Sequence, residues 1–259
     1  MKLLPSWLRE FVDVPADDQA LARDLTRAGI NIEGISCERE HTVFEAEITT
    51  NRPDAMNHYG VAREAAAIYD AELKALSAEA PPSSAAAGPG RVRIEIQDAE
   101  GCARYTARII RGIRIGPSPE HIRRRLELLG SSSISNIVDA SNYTLQEMGH
   151  PTHAFDLDRL AGGRILVRRA RKGETLKTLD GVERKLEPED VVIADAEKPV
   201  ALAGIMGGFN SMITPETRNV LVESAWFDPA PVRRTARRLG MHTDASHRFE
   251  RGADWGGTA

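Results

Sequence analysis

Hydrogen-bonding side chains crowd the stretch Leu239 to Thr258, above all the run from Gly240 to Gly252. That run carries His242, Thr243, Asp244, Ala245, Ser246, His247, Arg248, Glu250 and Arg251. Such density after a basic helix is seldom needed for packing alone and marks a loop that walls a site. Further segments of unusual content are dispersed upstream: Ser141-Asn142-Tyr143, His150 to Asp156, and Gly204 to Gly208. Glu223 lies in an otherwise apolar strand, Asn219 to Phe227, where a carboxylate loses water and needs a hydrogen-bond partner. A ligand hydroxyl would be one. The glycines after the preceding strand mark a turn or a place where something comes close to the main chain.

Several familiar chemistries are excluded. The chain has no Gly-x-x-x-x-Gly-Lys-Ser/Thr phosphate loop, no Gly-x-Gly-x-x-Gly opening a helix, no His-Glu-x-x-His and no Gly-x-Ser-x-Gly elbow. Cys37 and Cys102 stand far apart without partnering His spacing, so neither zinc nor a disulfide framework is indicated and two buried thiols are expected. No apolar run approaches the roughly 20 residues of a membrane helix, and the N-terminus lacks a signal peptide's apolar stretch, so a soluble cytoplasmic protein is expected.

The elements that must position these residues fall into two parts. With 259 residues, 41% of them hydrophobic, the chain buries a real core, in one large or two modest domains. The stretch Ala75 to Gly90 is rich in Pro, Ser, Ala and Gly and reads as a linker. The expected organisation is a module over 1–76, a linker over 77–90, a larger domain over 91–254 and a tail over 255–259. Residues 1–90 carry a net −7 and the remainder +3. The basic clusters Arg123-Arg124-Arg125, Arg164 to Lys172, and Arg233-Arg234 with Arg237-Arg238 read as solvated faces of amphipathic elements. A path for a phosphate backbone is the alternative.

In the first part Asp17 or Asp18 caps a helix closed by Gly29, strands follow over Ile30 to Ile35 and Val43 to Thr49, and a helix spans Asn57 to Leu73. In the second, strands are expected around Val92 to Ile96 and Tyr105 to Ile115, and helices from Ser118-Pro119 to Gly130 and over Ser135 to Met148. Asp180-Gly181 marks a hairpin between Thr175 to Leu179 and Val182 to Leu186. Strands at Val191 to Ala194, Val200 to Ile205 and Val220 to Ser224 precede a helix from Ala230 to Leu239 stopped by Gly240. Without a βαβ rhythm or an internal repeat, the fold class is α+β: a small N-terminal α+β module plus a larger mixed-sheet α+β domain.

These residues carry a resemblance. Asn136 to Tyr143, Gly149 to Asp156, Gly204 to Gly208, Leu221 to Phe227 and His242 to Gly252 look like successive motifs of the beta subunit of bacterial phenylalanyl-tRNA synthetase. Ser6-Trp7-Leu8, Ala28-Gly29-Ile30, Thr50 to Asp54 and Gly60 to Glu64 agree in the first module. The resemblance runs through nearly the whole chain in order. It implies that the second part is an editing domain of the B3/B4 type, which hydrolyses tyrosine wrongly attached to phenylalanine tRNA.

Carried over residue by residue, Glu223 would accept the tyrosine hydroxyl, with Gly207, Thr243 and Ala245 shaping the pocket. His153, Ser141 and Asn142 would position the amino acid, the terminal adenosine and the attacking water. His153 is read either as a general base or as a group that only orients its neighbours. Each residue also has a plainer reading: Ser141 and Asn142 as helix-terminal caps, Thr243 and Asp244 as a side-chain turn, Gly207 and Ala245 as packing, and Arg248, Glu250 and Arg251 as an ion-pair lattice. No metal and no cofactor is expected in this region. ATP and magnesium would serve the whole enzyme, phenylalanine tRNA and the synthetase alpha subunit would be the partners in an alpha/beta heterotetramer, and no membrane is involved. A non-catalytic module binding tRNA or the alpha subunit, with a weakened pocket, is the alternative.

The chain departs from the family at three places. Ser131-Ser132-Ser133 stands where an Arg is common, Ser141 replaces the usual Thr, and no oligonucleotide-binding insertion lies between Cys37 and Val43. It also stops before the family's later domains, as a fragment or a free-standing derivative would.

Overall fold

The computed structural model describes residues 1–76 and 92–258, and the linker expected over 77–90 lies outside the described residues. Two compact units emerge, one within Met1–Ser83, Pro117–Ile134 and Asn142–Gly149, the other within Ser84–Gly116, Ser135–Ser141 and His150–Ala259. The division is not two successive stretches.

The first unit opens with β1 (Lys2–Leu3) and α1 (Pro5–Phe11), whose proline sits in the first turn, where the missing N–H costs nothing. Next comes α2 (Asp18–Arg27), capped by Asp17, whose side chain accepts from the Ala20 amide at 2.7 Å. Strands β2 (Asn31–Glu38) and β3 (His41–Glu47) form a hairpin, and the sheet order is β1-β3-β2, all antiparallel. Arg39 and Glu40, both at positive φ (48° and 69°), make its two-residue turn. Cys37 is exposed rather than buried, because β2 is an edge strand with a solvated face.

Helix α3 (His58–Tyr69) is capped by Asn57, which accepts from the Gly60 amide at 2.6 Å. Gly60 is required there, since a Cβ would lie 1.9 Å from the Asp54 carbonyl oxygen. Leu3, Leu8, Leu21, Leu25, Phe44 and Val61 share one core. The cluster Leu4, Trp7, Val43 and Leu128 explains why α4 (Glu120–Leu128) belongs to this unit and not to the later domain expected from chain order. Of the basic run, Arg125 bonds Tyr143 and Glu10 and lies 4.7 Å over the Trp7 ring, so it is a structural cation rather than a solvated one.

Helix α5 (Asn136–Met148) gives residues 136–141 to the second unit and 142–148 to the first. The second unit contains β4 (Arg93–Ile96), β5 (Arg104–Arg111), β6 (Thr152–Asp156), β7 (Arg164–Arg169), β8 (Thr175–Lys177), β9 (Glu183–Lys185), β10 (Val191–Ala194), β11 (Pro199–Leu202), β12 (Met206–Gly207) and β13 (Asn219–Trp226). A five-stranded sheet has the order β12-β11-β10-β7-β4, with β4 parallel to β7 and the other neighbours antiparallel. A three-stranded antiparallel sheet, β5-β13-β6, and the β8–β9 hairpin complete it. Phe155, Ile165, Val192, Val200, Leu221 and Phe227 belong to one continuous core.

Two helices close the unit: α6 (Pro229–Arg238), capped by Asp228, and α7 (Asp244–Phe249), which occupies the run expected to be a loop. A capping box explains the difference, because Thr243 Oγ1 accepts from the Ser246 amide at 3.0 Å while Ser246 Oγ accepts from the Thr243 amide at 3.0 Å. Of the basic stretch Arg164 to Lys172, the part Arg164–Arg169 forms β7, where Arg168 is buried and grips Glu174 through two nitrogens at 2.7 and 2.8 Å and Arg169 meets Asp98 at 2.6 Å, while Arg171 and Lys172 beyond it are exposed. The mixture of separate helices and antiparallel-rich sheets is the α+β class read from the sequence.

Candidate active site

The alternation of β13 directs Leu221, Glu223 and Ala225 to its buried side. Pairing then decides what surrounds the carboxylate. Glu223 stands directly opposite His153 on β6 and Ala107 on β5, while Ala225 stands opposite Tyr105. Tyr105 is therefore a diagonal neighbour of Glu223 on the same face, within reach of a long side chain. Its hydroxyl donates to Glu223 Oε2 at 2.7 Å. Among the described residues Oε1 takes no hydrogen bond.

A cleft of about 60 Å³, room for one or two waters, lies over this point and opens to solvent. Its lining includes Glu223, His153, Gly207 and Ala245, with Ile193 and Phe249 among the apolar groups. Four of the seven candidate residues thus converge. Thr243 and Ser141 act one step behind. Thr243 Oγ1 donates to the carbonyl of Ile205 at 2.9 Å and so ties the start of α7 to a lining residue. Ser141 Oγ lies 2.8 Å from both the carbonyl and the hydroxyl of Thr152, another lining residue. Asn142, next in α5, belongs to the first unit and is not in the lining.

What comes close to the main chain at the glycines is now visible. A Cβ on Gly207 would lie 2.4 Å from His153 Cε1 and 2.5 Å from its Nε2, and one on Gly208 would lie 2.5 Å from the Val200 carbonyl oxygen. The Cε1 and Nε2 atoms of the imidazole come close to bare backbone, and its ring stands nearly perpendicular to that of Phe155, 4.5 Å between ring centres. The closing run braces itself: Arg248 donates to the Asp244 carbonyl at 3.0 Å, and Arg251 donates to Glu250 at 2.7 Å and to the His247 carbonyl at 2.8 Å.

Burial sets the electrostatics. It pushes the Glu223 carboxyl up from 4.5 to about 7, against a smaller lowering by the Tyr105 hydrogen bond. It also brings His153 down from 6.5 to about 4, so the imidazole is neutral at physiological pH and Nε2 has no partner among the described residues. An ordinary histidine base with its titration near neutrality is therefore not what the fold provides. Tyr105, itself buried beside the carboxylate, is held protonated by a pKa raised well above its ordinary value. Among the described residues no three His, Cys, Asp or Glu side chains converge as a metal set, and no helix is long and apolar enough to cross a membrane.

A folded carboxyl at about 7 against 4.5 unfolded keeps its proton longer in the native state. Its contribution to stability therefore falls as pH rises between those values, and the cost is complete above about 7. Glu223→Gln is expected to leave the melting temperature unchanged near pH 4.5 and to raise it at pH 8, by a contribution of at most about 3 kcal/mol. Thermal melts of both proteins across that range check this, and a stabilisation that does not grow with pH would contradict it.

The model of the B3/4 domain matches residues 101–259. The chain belongs to the B3/4 domain family. The match takes in every residue of the cleft wall. The sequence is 51% identical over 86% of its length to the phenylalanine–tRNA ligase beta subunit of Anaeromyxobacter dehalogenans and 53% identical over 82% to that of Geobacter metallireducens. The chain spans 28% and 26% of those relatives' lengths. A crystal structure of an N-terminal fragment of the phenylalanyl-tRNA synthetase beta subunit from Pyrococcus horikoshii aligns with 87% of this chain and 67% of its own, at 16% identity and a TM-score of 0.47.

Sequence reasoning missed Phe249, which lines the cleft, and Tyr105, which lies outside the lining and holds Glu223 from behind. Phe249 lies inside the run from Gly240 to Gly252 but brings no hydrogen-bonding side chain to it. Tyr105 carries no local signal beyond its place in an alternating strand, because what matters is its diagonal to Glu223.

Proposed function

We propose that this B3/4 cleft is an editing site that hydrolyses tyrosine esterified to phenylalanine tRNA. The observation that carries the reading is Glu223: a buried carboxylate, 6% exposed, in an apolar cleft with one oxygen free to accept a hydroxyl. A site built to pair a substrate hydroxyl rejects the analogue lacking it, because its own polar group would otherwise stay unpaired. Gly207 and Ala245 keep the wall low beside it.

The chemistry asks little of the protein. An aminoacyl ester is already activated. Water adds to its carbonyl carbon, the ester C–O bond breaks, and the ribose hydroxyl leaves with a proton. Neutral His153 supplies an acceptor that orients the water rather than a strong base, and the neighbouring ribose hydroxyl can relay the proton. No covalent nucleophile is used. In the same reading the cleft serves a cytoplasmic ligase in which the alpha subunit performs aminoacylation with ATP and magnesium, within an alpha/beta heterotetramer. The exposed arginines Arg233, Arg234 and Arg237 on α6 are, in the same reading, cations available to tRNA phosphates.

Incubating the chain with Tyr-tRNA for phenylalanine is expected to release free tyrosine faster than solvent does, and to release phenylalanine from the cognate ester far more slowly. Ester loss at the solvent rate, with tRNA still bound, would replace this reading by that of a binding module with a weakened pocket.

A further inference from the structure

Glu223 has two oxygens, and the protein itself occupies one of them. The Tyr105 hydroxyl is spent on Oε2 at 2.7 Å, both side chains are buried, and the contact joins residues 118 positions apart through the β5–β13 register. We propose that Tyr105 is a positioning residue of the cleft, a resident phenol that holds Glu223 by Oε2 so that Oε1 alone is presented to the hydroxyl of the substrate. The proposal rests on the reading of the cleft as a hydroxyl-selective ester hydrolase.

Geometry and charge both require such a group. A glutamate side chain has three rotatable bonds, and without a tether its carboxylate would not keep one oxygen aimed into a small cleft. A buried carboxylate also leans toward its protonated form, and a donor that bonds the ionised form opposes this. Tyr105 is the donor that does so here. The other titratable groups facing Glu223 cannot take its place. Cys102, just ahead of β5, has its thiol pushed up to about 12, chiefly by burial and further by Glu223, and remains a neutral thiol. His153, opposite on β6, is neutral near pH 7 and makes no hydrogen bond to Glu223 among the described residues. The walls from β10, β11 and α7 bring Ile193, Leu202 and Ala245, which carry no charge.

The test uses the full chain with Tyr105→Phe, Glu223→Gln and the double variant. Carbon-13 titration of the Glu223 carboxyl, without any substrate, is expected to show the midpoint moving upward by about one pH unit in Tyr105→Phe, the equivalent of one hydrogen bond to a charged group. A midpoint that stays in place or moves down overturns the proposal. Hydrolysis of tyrosyl and phenylalanyl esters of the tRNA is then followed against pH. The tyrosine preference of Tyr105→Phe should fail at a pH about one unit higher than in the parent, and Tyr105→Phe should add nothing in the Glu223→Gln background. A parent with no tyrosine preference would sink the editing reading. A parent with the preference, left unaltered by Tyr105→Phe, would sink the role of Tyr105 and leave the editing reading standing. Should Tyr105→Phe fail to fold, fluorotyrosine at position 105 keeps the shape with a stronger donor, and the midpoint must then move down.

Discussion

Glu223→Ala is expected to abolish the preference for tyrosine over phenylalanine while sparing hydrolysis of the phenylalanyl ester. A hydrogen bond to a charged group is worth about 1.5–3 kcal/mol, so the ratio of the two kcat/KM values should fall by about 10- to 150-fold. The tyrosyl ester loses its bond to Oε1, and the phenylalanyl ester is not slowed, because it no longer leaves a buried carboxylate unpaired. A role confined to the fold predicts something else. Removing the carboxylate would then leave the Tyr105 hydroxyl buried without its partner, destabilise the β5–β13 pair, and slow both esters by the same factor. Measuring both esters on one preparation, with a melting curve, separates the two cases. An unchanged ratio would remove Glu223 from substrate recognition. Glu223→Gln keeps an oxygen acceptor and should retain part of the ratio, without the pH dependence that ionisation confers.

Glu223 is legible in the sequence because a lone carboxylate in an apolar strand is costly unless something pairs it. Its partner is not, because a register between strands more than a hundred residues apart has no local signature. The same distinction runs through the fold. Asp17 at the start of α2, Gly240 after α6 and Asp180-Gly181 in the hairpin are short-range signals, and the elements lie where those signals place them. Strand β7 is hidden by its arginines, whose partners Glu95 and Asp98 come from the segment around β4. Helix α7 is hidden by its brevity and by a capping box that reads equally well as a turn. The allegiance of α4 to the first unit depends on Leu128 reaching Leu4, Trp7 and Val43, which no periodicity reveals. His153 shows the limit most sharply: the residue type suggests a base near neutrality, and burial alone takes that away.

Gly207→Ala should be the single methyl in the cleft most damaging to ester hydrolysis. The backbone there is extended and does not demand glycine on conformational grounds, so the entire effect comes from what the methyl meets. It would lie 2.4 Å from His153 Cε1 and 2.5 Å from Nε2, and 3.3 Å from a methyl of Leu179. The imidazole has to leave, because it is a side chain and the strand beneath it is held by the pairing of β11 with β12. Leaving takes it off the edge of Phe155 and away from the position facing Glu223. The expected result is a folded protein less stable by about 1–3 kcal/mol, with tyrosyl ester hydrolysis reduced by about 100-fold, the usual consequence of a reacting group misplaced by an ångström. Gly208→Ala provides the contrast. Its methyl would meet the Val200 carbonyl, which is backbone and cannot swing aside, so it should cost more in stability. The decisive measurement is the cycle with His153→Ala: if the methyl acts by displacing the imidazole, Gly207→Ala costs almost nothing further in rate once the ring is gone. Additive losses would mean that Gly207 serves the ester directly and not through His153.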